Sequence, residues 1–422
     1  MLQAEKILFY LLILFLPTQL GKHFWPDFSI ISGIRVDYLS PTIYFTDVLI
    51  GLLLIFWLFR RAQTPKRKYA NFKILFSAGL IIFLVFNIFL FNNFLNGFYH
   101  LLKFFEFLFV GTYIAYHVKT PERLKVVFLL LAVSATFESV LAILQFFKQG
   151  SIGGLLYFFG ERTFSSSTPG IANASINGEL ILRSYGTFSH PNILAGFLLC
   201  VMILCLGFLK LFKQKQRLII IACLLLGTAG LILTMSRVAI LLWLLAVIFF
   251  VFYKNRFINK WKFILIFGLL IITLAITPFG TRLLSTKLTE ESIVQREELI
   301  SSSFQLFANH PIAGIGFGNF LPSLPSVQKS LSPTLYIQPV HNIFLLVLIE
   351  TGIIGFSFFV FFLIKTYKYL FINAKTHAVF FILLTVVLVL GFFDHYFLTL
   401  QQGQLLLAFV LGLCWTSFAH RA

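Results

Sequence analysis

Long apolar runs separated by short polar segments fill most of the chain. A helix needs about 20 apolar residues to cross a membrane, whereas a strand of a membrane barrel alternates apolar and polar residues. The runs are of the first kind, so the pattern predicts an all-α polytopic membrane protein in which residues 1–422 form a single integral membrane domain. We expect twelve transmembrane helices, at 5–20, 43–59, 74–91, 99–117, 124–147, 191–211, 218–236, 238–253, 261–278, 342–364, 377–394 and 403–419.

Composition agrees with this class of protein. Of the 422 residues, 59% are hydrophobic and only 11% are charged, and the mean hydropathy is +0.93. The four cysteines all lie within apolar runs, and no CxxC or HxxxH spacing occurs. Since disulfide frameworks and zinc sites have such signatures, we predict no disulfide, no metal and no cofactor.

The charge of the predicted loops alternates along the chain. With the N-terminus inside, most of the 33 lysine and arginine residues fall in loops that face the cytoplasm, in agreement with the positive-inside rule. This orientation places both termini in the cytoplasm and accounts for the net charge of +18 without nucleic-acid binding. It places the two long loops, 148–190 and 279–341, outside the cytoplasmic (inner) membrane. We therefore expect an outward-facing active site whose donor is already activated on the membrane.

The first candidate motif is RSYGTFSHPNILAG, which begins at Arg183. Pro191 suits the first position of a helix, and Ser189 or His190 would cap that helix. His190 and Asn192 are therefore either parts of a helix start or, together with Arg183, ligands for a polar substrate.

The second motif, TMSRVAILLW, joins two predicted membrane helices at Arg237. The positive-inside rule would place a spare positive charge on the other side of the membrane. Arg237 is therefore either a side chain that snorkels to the interface or a functional residue, which is the default interpretation of an arginine at this depth.

The third motif, SIVQREELISSSFQLF, predicts a helix within the larger loop. At about 100° per residue, four apolar side chains lie on one face of this helix. They are Ile293, Ile300, Phe304 and Phe307. Arg296 lies about 60° from Ile293 on this wheel, at the flank of the apolar stripe. We predict that Arg296 points into the membrane domain and binds an anion, or that it pairs with an acid such as Glu350. The glycines that follow, in HPIAGIGFGNF, predict tight turns or a close approach of two backbones.

The fourth motif, QPVHNIFLLVLIETG, returns the larger loop to the membrane. Asn342 begins a predicted span, so His341 lies at the outer mouth of a helix, where a neutral imidazole can accept a proton from a hydroxyl. A histidine at the start of a helix is also, and more often, a helix cap. Asp394 and His395, at the outer end of the eleventh span, are further candidates. Asp394 either orients a histidine or lies at the interface.

Taken together, the motifs suit a lipid-linked pyrophosphate. Arginines match phosphate oxygens, and a histidine can deprotonate an attacking hydroxyl. The series GTFSHPNILAG, TMSRVAILLW, HPIAGIGFGNF and PVHNIFLLVLIETGIIG closely resembles that of the O-antigen ligase and O-antigen polymerase family of bacterial envelope glycosyltransferases. The resemblance covers roughly residues 170 to 415.

This resemblance implies a GT-C-like glycosyltransferase fold and a metal-independent, inverting transfer of a glycan from undecaprenyl pyrophosphate to an acceptor hydroxyl. By motif position, Arg237 and Arg296 would bind the pyrophosphate and His341 would be the catalytic base. The residues implied to contact the pyrophosphate or glycan are Arg183, His190, Asn192 and Asn342. Expected partners are the lipid-linked donor, membrane lipids and an acceptor that is a glycan, the lipid A core or a protein.

The sequence leaves two questions open. It does not separate a ligase from a polymerase or a protein oligosaccharyltransferase. A flippase or exporter of lipid-linked sugars is an alternative function. A transporter would place polar side chains at mid-membrane positions of many spans, whereas only Lys103, Glu106 and Glu138 stand out here.

Overall fold

Helices dominate the computed structural model, which describes residues 3–62, 71–89, 93–176, 179–253, 291–328 and 336–417. Eleven α-helices coincide with predicted spans: α1 Gln3–Leu14, α2 Phe45–Ala62, α3 Asn71–Phe89, α4 Phe94–His117, α5 Pro121–Lys148, α6 Pro191–Gly207, α7 Gln214–Leu233, α8 Arg237–Tyr253, α11 Ile343–Ile372, α12 Ala374–Phe393 and α14 Gln401–Cys414. The described residues contain three more: α9 Glu291–Asn309, α10 Phe320–Val327 and α13 Tyr396–Thr399.

Five of these helices are long and apolar enough to cross a membrane: α4, α5, α7, α11 and the Thr376–Phe393 part of α12. Helices α6, α8 and α14 are apolar but shorter. The prediction of an all-α membrane protein is confirmed to this extent. The predicted span 261–278 lies outside the described residues, and the count of twelve and the GT-C-like fold stay predictions.

Helix α6 lies at the centre of the largest apolar cluster. It is apolar on all sides, and a helix of this kind must be enclosed. Nearly all of its side chains are buried, and α5, α7, α8, α12 and α14 pack around it. Close packing is the main source of stability for such contacts in a membrane. The first turn of α6, which carries Asn192, is therefore held in place from several sides.

Three charged residues inside the predicted spans, Lys103, Glu106 and Glu138, have partners within the protein. Lys103 Nζ donates to Asp47 Oδ2 at 2.5 Å and to Glu106 Oε2 at 3.1 Å, which joins α2 to α4. Glu138 in α5 accepts hydrogen bonds from the backbone N and the Oγ1 of Thr187, both at 2.7 Å. Because a buried charge is costly unless it is paired in this way, these residues hold elements together.

Three connecting segments lie at the end of the bundle where α6, α8 and α11 begin, which we call the loop end. Segment 15–44 contains two small antiparallel hairpins, β1 Gly21–His23 with β4 Thr42–Tyr44, and β2 Ile30–Ile31 with β3 Ile34–Arg35. Segment 149–190 contains the hairpin β5 Asn173–Ile176 and β6 Glu179–Leu182. The third segment, of which residues 291–328 and 336–342 are described, carries α9 and α10. The sequence predicted only the last two as long loops.

A second apolar cluster joins segment 15–44 to the third segment. Val36 and Leu39 pack in one buried cluster with Leu299 of α9 and Phe320 of α10. The first connection of the chain is therefore part of the structure that surrounds the start of α11.

Helix α11 is broken at Gly352, where φ is 61° and ψ is −169°. The loop HPIAGIGFGNF supplies the backbone hydrogen bonds that the break removes. The four bonds, from 2.9 to 3.2 Å, run from the N of Ile315 to the O of Ile349, from Gly316 to Glu350, from Ile353 to Pro311 and from Ile354 to Ile312. Broken helices are tolerated at membrane depth where neighbouring groups satisfy the freed backbone in this way.

The glycines of this loop allow the two backbones to approach closely, as predicted. A Cβ atom on Gly314 would lie 2.4 Å from the carbonyl carbon of Glu350, and one on Gly352 would lie 2.2 Å from the carbonyl oxygen of Ile312. Since no side chain fits either gap, the contact fixes the first half of α11, whose start carries His341.

Candidate active site

Three polar side chains from separate elements converge at the loop end. His341 precedes α11, Asp394 follows α12 and His395 precedes α13. One ring nitrogen of each histidine and one carboxylate oxygen of Asp394 all lie within 4.8 Å of one another. The two imidazole rings meet edge to face, with centroids 5.0 Å apart and an interplanar angle of 75°. The structure thus brings together the main candidate base and the two residues predicted as secondary candidates.

Hydrogen bonds connect this group to the first candidate motif. Asp394 Oδ2 accepts a hydrogen bond from Asn192 Nδ2 at 2.6 Å, and Asp394 Oδ1 accepts one from the backbone N of His395 at 2.8 Å. Asn192 Oδ1 accepts from Arg183 Nη2 at 2.5 Å, and Arg183 Nε donates to the carbonyl of Thr234 at 2.7 Å. Asn192 thereby links a guanidinium to the carboxylate that lies beside the histidines.

Two other predicted ligands form helix caps. His190 Nδ1 accepts a hydrogen bond from the backbone N of Asn192 at 3.1 Å, so His190 is the N-cap of α6. Asn342 Oδ1 accepts from the backbone N of Phe344 and Leu345, at 2.9 and 3.0 Å, and is the N-cap of α11. Because Asn342 is the cap, the imidazole of His341 is not required for capping. The role of Asn342 and His190 in substrate binding stays a prediction.

Arg296 acts on the histidines through its charge, although the predicted buried face of its helix is wrong. Ile300 and Phe304 are exposed, and the buried residues of α9 include Leu299, Ser303 and Leu306. The buried face was mispredicted because two of the buried positions are small polar serines. A helical wheel that considers only apolar residues does not assign serines to the buried face. Arg296 lies three residues before Leu299 and is itself exposed, and its positive charge lowers the pKa of His341.

Glu350 is buried beneath the glycine loop. Its Oε1 accepts a long hydrogen bond of 3.4 Å from the backbone N of Phe320. Within the described residues, the ion pairs do not include one between Glu350 and Arg296. Glu350 therefore supports the loop, and the alternative of a partner acid for Arg296 finds no support.

Arg237 is the first residue of α8, as the turn at TMSR predicted. Met235 adopts a positive φ of 53°, which reverses the chain between α7 and α8. The carbonyl of Thr234 that accepts Arg183 Nε belongs to the same turn. This contact ties the turn that carries Arg237 to the Asn192 network.

Burial governs the protonation of the histidines. It lowers the pKa of His341, an effect that Asp394 opposes and Arg296 reinforces. Burial also lowers the pKa of His395 to about 3. For Asp394, burial raises the pKa, but the adjacent histidines and the amide of Asn192 outweigh it, so this pKa is below its ordinary value. At neutral pH the site therefore contains neutral imidazoles beside an ionised carboxylate.

Residues 221–360 match the O-antigen ligase family. The match confirms the resemblance drawn from the motifs. It covers about a third of the chain and contains Arg237, Arg296, His341 and Glu350. No curated protein matches the chain.

The O-antigen ligase match ends well before Asp394 and His395, and the structure adds both to the site. It also adds Tyr38 and Thr399, which the sequence did not predict. The Tyr38 ring meets His395 at a centroid distance of 5.4 Å, and His395 Nδ1 lies 2.6 Å from Thr399 Oγ1. Tyr38 lies 357 positions from His395 along the chain, so no local pattern could have found it.

Two histidines and a carboxylate are also a ligand set for transition metals. In this chain, the positive charge of Arg296 acts on His341 and on His395. A fixed positive charge at this position opposes a cation and favours an anion. The expectation of metal-independent chemistry stays a prediction that a chelator tests.

Proposed function

We propose that the protein transfers a glycan from undecaprenyl pyrophosphate to an acceptor hydroxyl, at the outer face of the bacterial cytoplasmic membrane, as a ligase or polymerase of surface polysaccharide. The observation that carries the proposal is the convergence of His341 with Asp394 and His395 under the influence of Arg296, within a chain that matches the O-antigen ligase family.

The arginines are proposed to bind the pyrophosphate. A guanidinium is always charged, and its planar donors match phosphate oxygens. Arg237 and Arg296 would stabilise the negative charge that grows on the leaving group as the bond to the anomeric carbon breaks. Arg183 is proposed to assist, since it already bridges the Arg237 turn and Asn192.

His341 is proposed to be the general base. Its ring is half-buried, its lowered pKa keeps it neutral, and its Nδ1 is buried without a hydrogen-bond partner among the described residues. His341 would take the proton of the acceptor hydroxyl while that oxygen bonds to the anomeric carbon from the face opposite the pyrophosphate. The configuration of the sugar carbon is then inverted. Asp394 would stabilise the imidazolium that forms, as a carboxylate does beside a catalytic histidine.

The structure gives less support to a flippase or exporter. Of the charges in predicted spans, Lys103 pairs with Asp47 and Glu106, and Glu138 is bonded to Thr187. Charges that hold helices together do not form a polar path. The candidate chemical groups lie at one end of the bundle instead.

The test is a reconstitution of the purified full-length chain in liposomes with a synthetic undecaprenyl-pyrophosphate oligosaccharide and a panel of acceptor glycans, with and without EDTA. We expect elongated or ligated glycan and released undecaprenyl pyrophosphate, at a rate that EDTA leaves unchanged. Translocation of the donor across the bilayer without any new glycosidic bond would overturn the proposal in favour of transport. Loss of transfer on chelation would overturn its metal-independent form.

A further inference from the structure

Tyr38 lies at the edge of the candidate site in a short 3-10 helix, Asp37–Leu39. The neighbouring side chains Val36 and Leu39 are buried against α9 and α10, which fixes this turn over the start of α11. Tyr38 is itself half-buried. Its position is therefore set by packing that is independent of the histidines.

Three aromatic rings lead from the candidate base toward the surface. His341 contacts His395 at a centroid distance of 5.0 Å, and His395 contacts Tyr38 at 5.4 Å, both edge to face. Among the described residues, the Tyr38 hydroxyl has no hydrogen-bond partner. A tyrosine combines an apolar ring with one hydroxyl that donates and accepts, so this side chain is open to a ligand that reaches His341.

The charges around Tyr38 differ from those around the histidines. Burial raises the pKa of Tyr38, and the negative charges of Asp394 and Asp37 raise it further, while Arg162 opposes them. Arg162 Nη2 lies 4.0 Å from Asp37 Oδ2, and both side chains are more than half exposed. Tyr38 thus lies against His395 and beside an exposed pair of polar side chains.

The stereochemistry of an inverting transfer indicates which ligand the Tyr38 side of the site would bind. In an inverting transfer, the attacking hydroxyl approaches the anomeric carbon from the face opposite the leaving group. If the arginines hold the pyrophosphate, the acceptor must reach His341 from the other side. The Asp37–Arg162 pair offers hydrogen-bond acceptors and donors to sugar hydroxyls, and the Tyr38 ring offers an apolar face.

We propose that Tyr38, Asp37 and Arg162 form the subsite that binds the acceptor sugar beside His341. The ligand class is a neutral hexose or N-acetylhexosamine at the end of the acceptor glycan. This assignment rests on the proposed function, because it identifies the acceptor side from the inverting geometry of that reaction.

The test measures acceptor and donor binding separately on the full-length protein in detergent. Methyl glycosides of glucose, galactose and N-acetylglucosamine are the acceptor probes, detected by saturation-transfer NMR, and undecaprenyl pyrophosphate is the donor probe, detected by native mass spectrometry. Tyr38→Leu keeps apolar bulk against the buried cluster and removes the ring. We expect it to reduce the glycoside signal at least fivefold, on the order of 1 kcal/mol, and to leave undecaprenyl pyrophosphate binding unchanged.

Two controls keep the result specific. Tyr157→Leu replaces an exposed tyrosine of the loop end, in the 3-10 helix Gly154–Phe159, and we expect both probes to bind as in the wild type. Arg296→Gln should weaken undecaprenyl pyrophosphate and spare the glycosides.

The outcomes separate the subsite from the proposed function. Wild-type protein that binds no glycoside, a Tyr38→Leu variant that binds glycosides normally, or equal loss of both probes in that variant would overturn the subsite. Wild-type protein that does not bind undecaprenyl pyrophosphate would overturn the proposed function.

Discussion

Neutral imidazoles beside an ionised carboxylate are the chemical core of the candidate site. Burial lowers the pKa of His341, and Arg296 lowers it further. The Asp394 carboxylate is fixed by Asn192 on one oxygen and by the His395 backbone on the other. A neutral imidazole can accept the proton of a hydroxyl near pH 7. Once it has accepted this proton, the imidazole can share it with the fixed carboxylate.

The charge of Arg296 predicts a pH effect. Because a lowered pKa keeps His341 neutral below its ordinary value of 6.5, we expect the transfer rate to stay level down to pH values below 6.5 and then to fall. In Arg296→Gln the pKa of His341 rises, so the neutral base is lost at a higher pH and the acid limb of kcat/KM moves upward. The measurement is kcat/KM between pH 5 and 8.

Arg296→Lys is the matched control for this prediction. It keeps the positive charge and loses only the planar donors, so the acid limb should remain where the wild type has it, even if the rate falls. An acid limb in Arg296→Gln that stays in place or moves to lower pH would contradict the electrostatic role.

At the scale of elements, the broken helix α11 holds His341 in position. Four hydrogen bonds between the glycine loop and the two halves of α11 replace the helical bonds lost at Gly352. The loop is also bonded to α3, where Asn87 Nδ2 donates to the carbonyl of Ala313 and Asn87 Oδ1 accepts from the N of Phe317, both at 2.7 Å. The candidate base therefore depends on a contact between elements far apart in the chain.

Gly352→Ala should disrupt this contact. The substitution forces an alanine into a positive φ and brings its Cβ within 2.2 Å of a carbonyl oxygen. We expect a loss of about 3 kcal/mol in the free energy of unfolding, seen as a lower thermal unfolding midpoint in detergent, together with loss of transfer activity. Gly51→Ala is the control, because nothing lies within 4 Å of its added Cβ. That variant should be neutral or slightly stabilised. A Gly352→Ala variant as stable as Gly51→Ala would contradict the account.

Local patterns predicted the starts of elements but not their partners. Pro191 and Asn342 begin helices as predicted, because capping depends on adjacent residues. The break at Gly352 was not predicted, since it depends on a loop that packs against it from 40 positions away. The face of α9 was predicted wrongly, because Ser303 is buried by tertiary contacts.

At the scale of the whole molecule, the site is assembled where several segments of the chain meet. The histidines come from the starts of α11 and α13, Asn192 from α6, Arg296 from α9 and Tyr38 from the first connection. The alternation of loop charge predicts that most of these residues lie on one side of a membrane. The sequence could not show that Asn192 and Asp394, 202 positions apart, are bonded.

The proposed orientation predicts a labelling pattern. The four natural cysteines are buried and unpaired, so they should contribute little background to thiol labelling. A membrane-impermeant maleimide applied to intact spheroplasts should label Tyr157→Cys, in the loop end, and should label Gln214→Cys at the start of α7 only after the membrane is broken. The reverse pattern would place the candidate site in the cytoplasm and would contradict the outward-facing proposal.

The central claim is that His341 is the base for glycan transfer, and one measurement tests it most directly. Transfer from a saturating undecaprenyl-pyrophosphate oligosaccharide is timed for the wild type and for His341→Ala, with binding of undecaprenyl pyrophosphate measured in parallel. The account predicts a kcat lower by roughly 10²–10⁴-fold with donor binding unchanged. A His341→Ala variant that transfers glycan at the wild-type rate would contradict it.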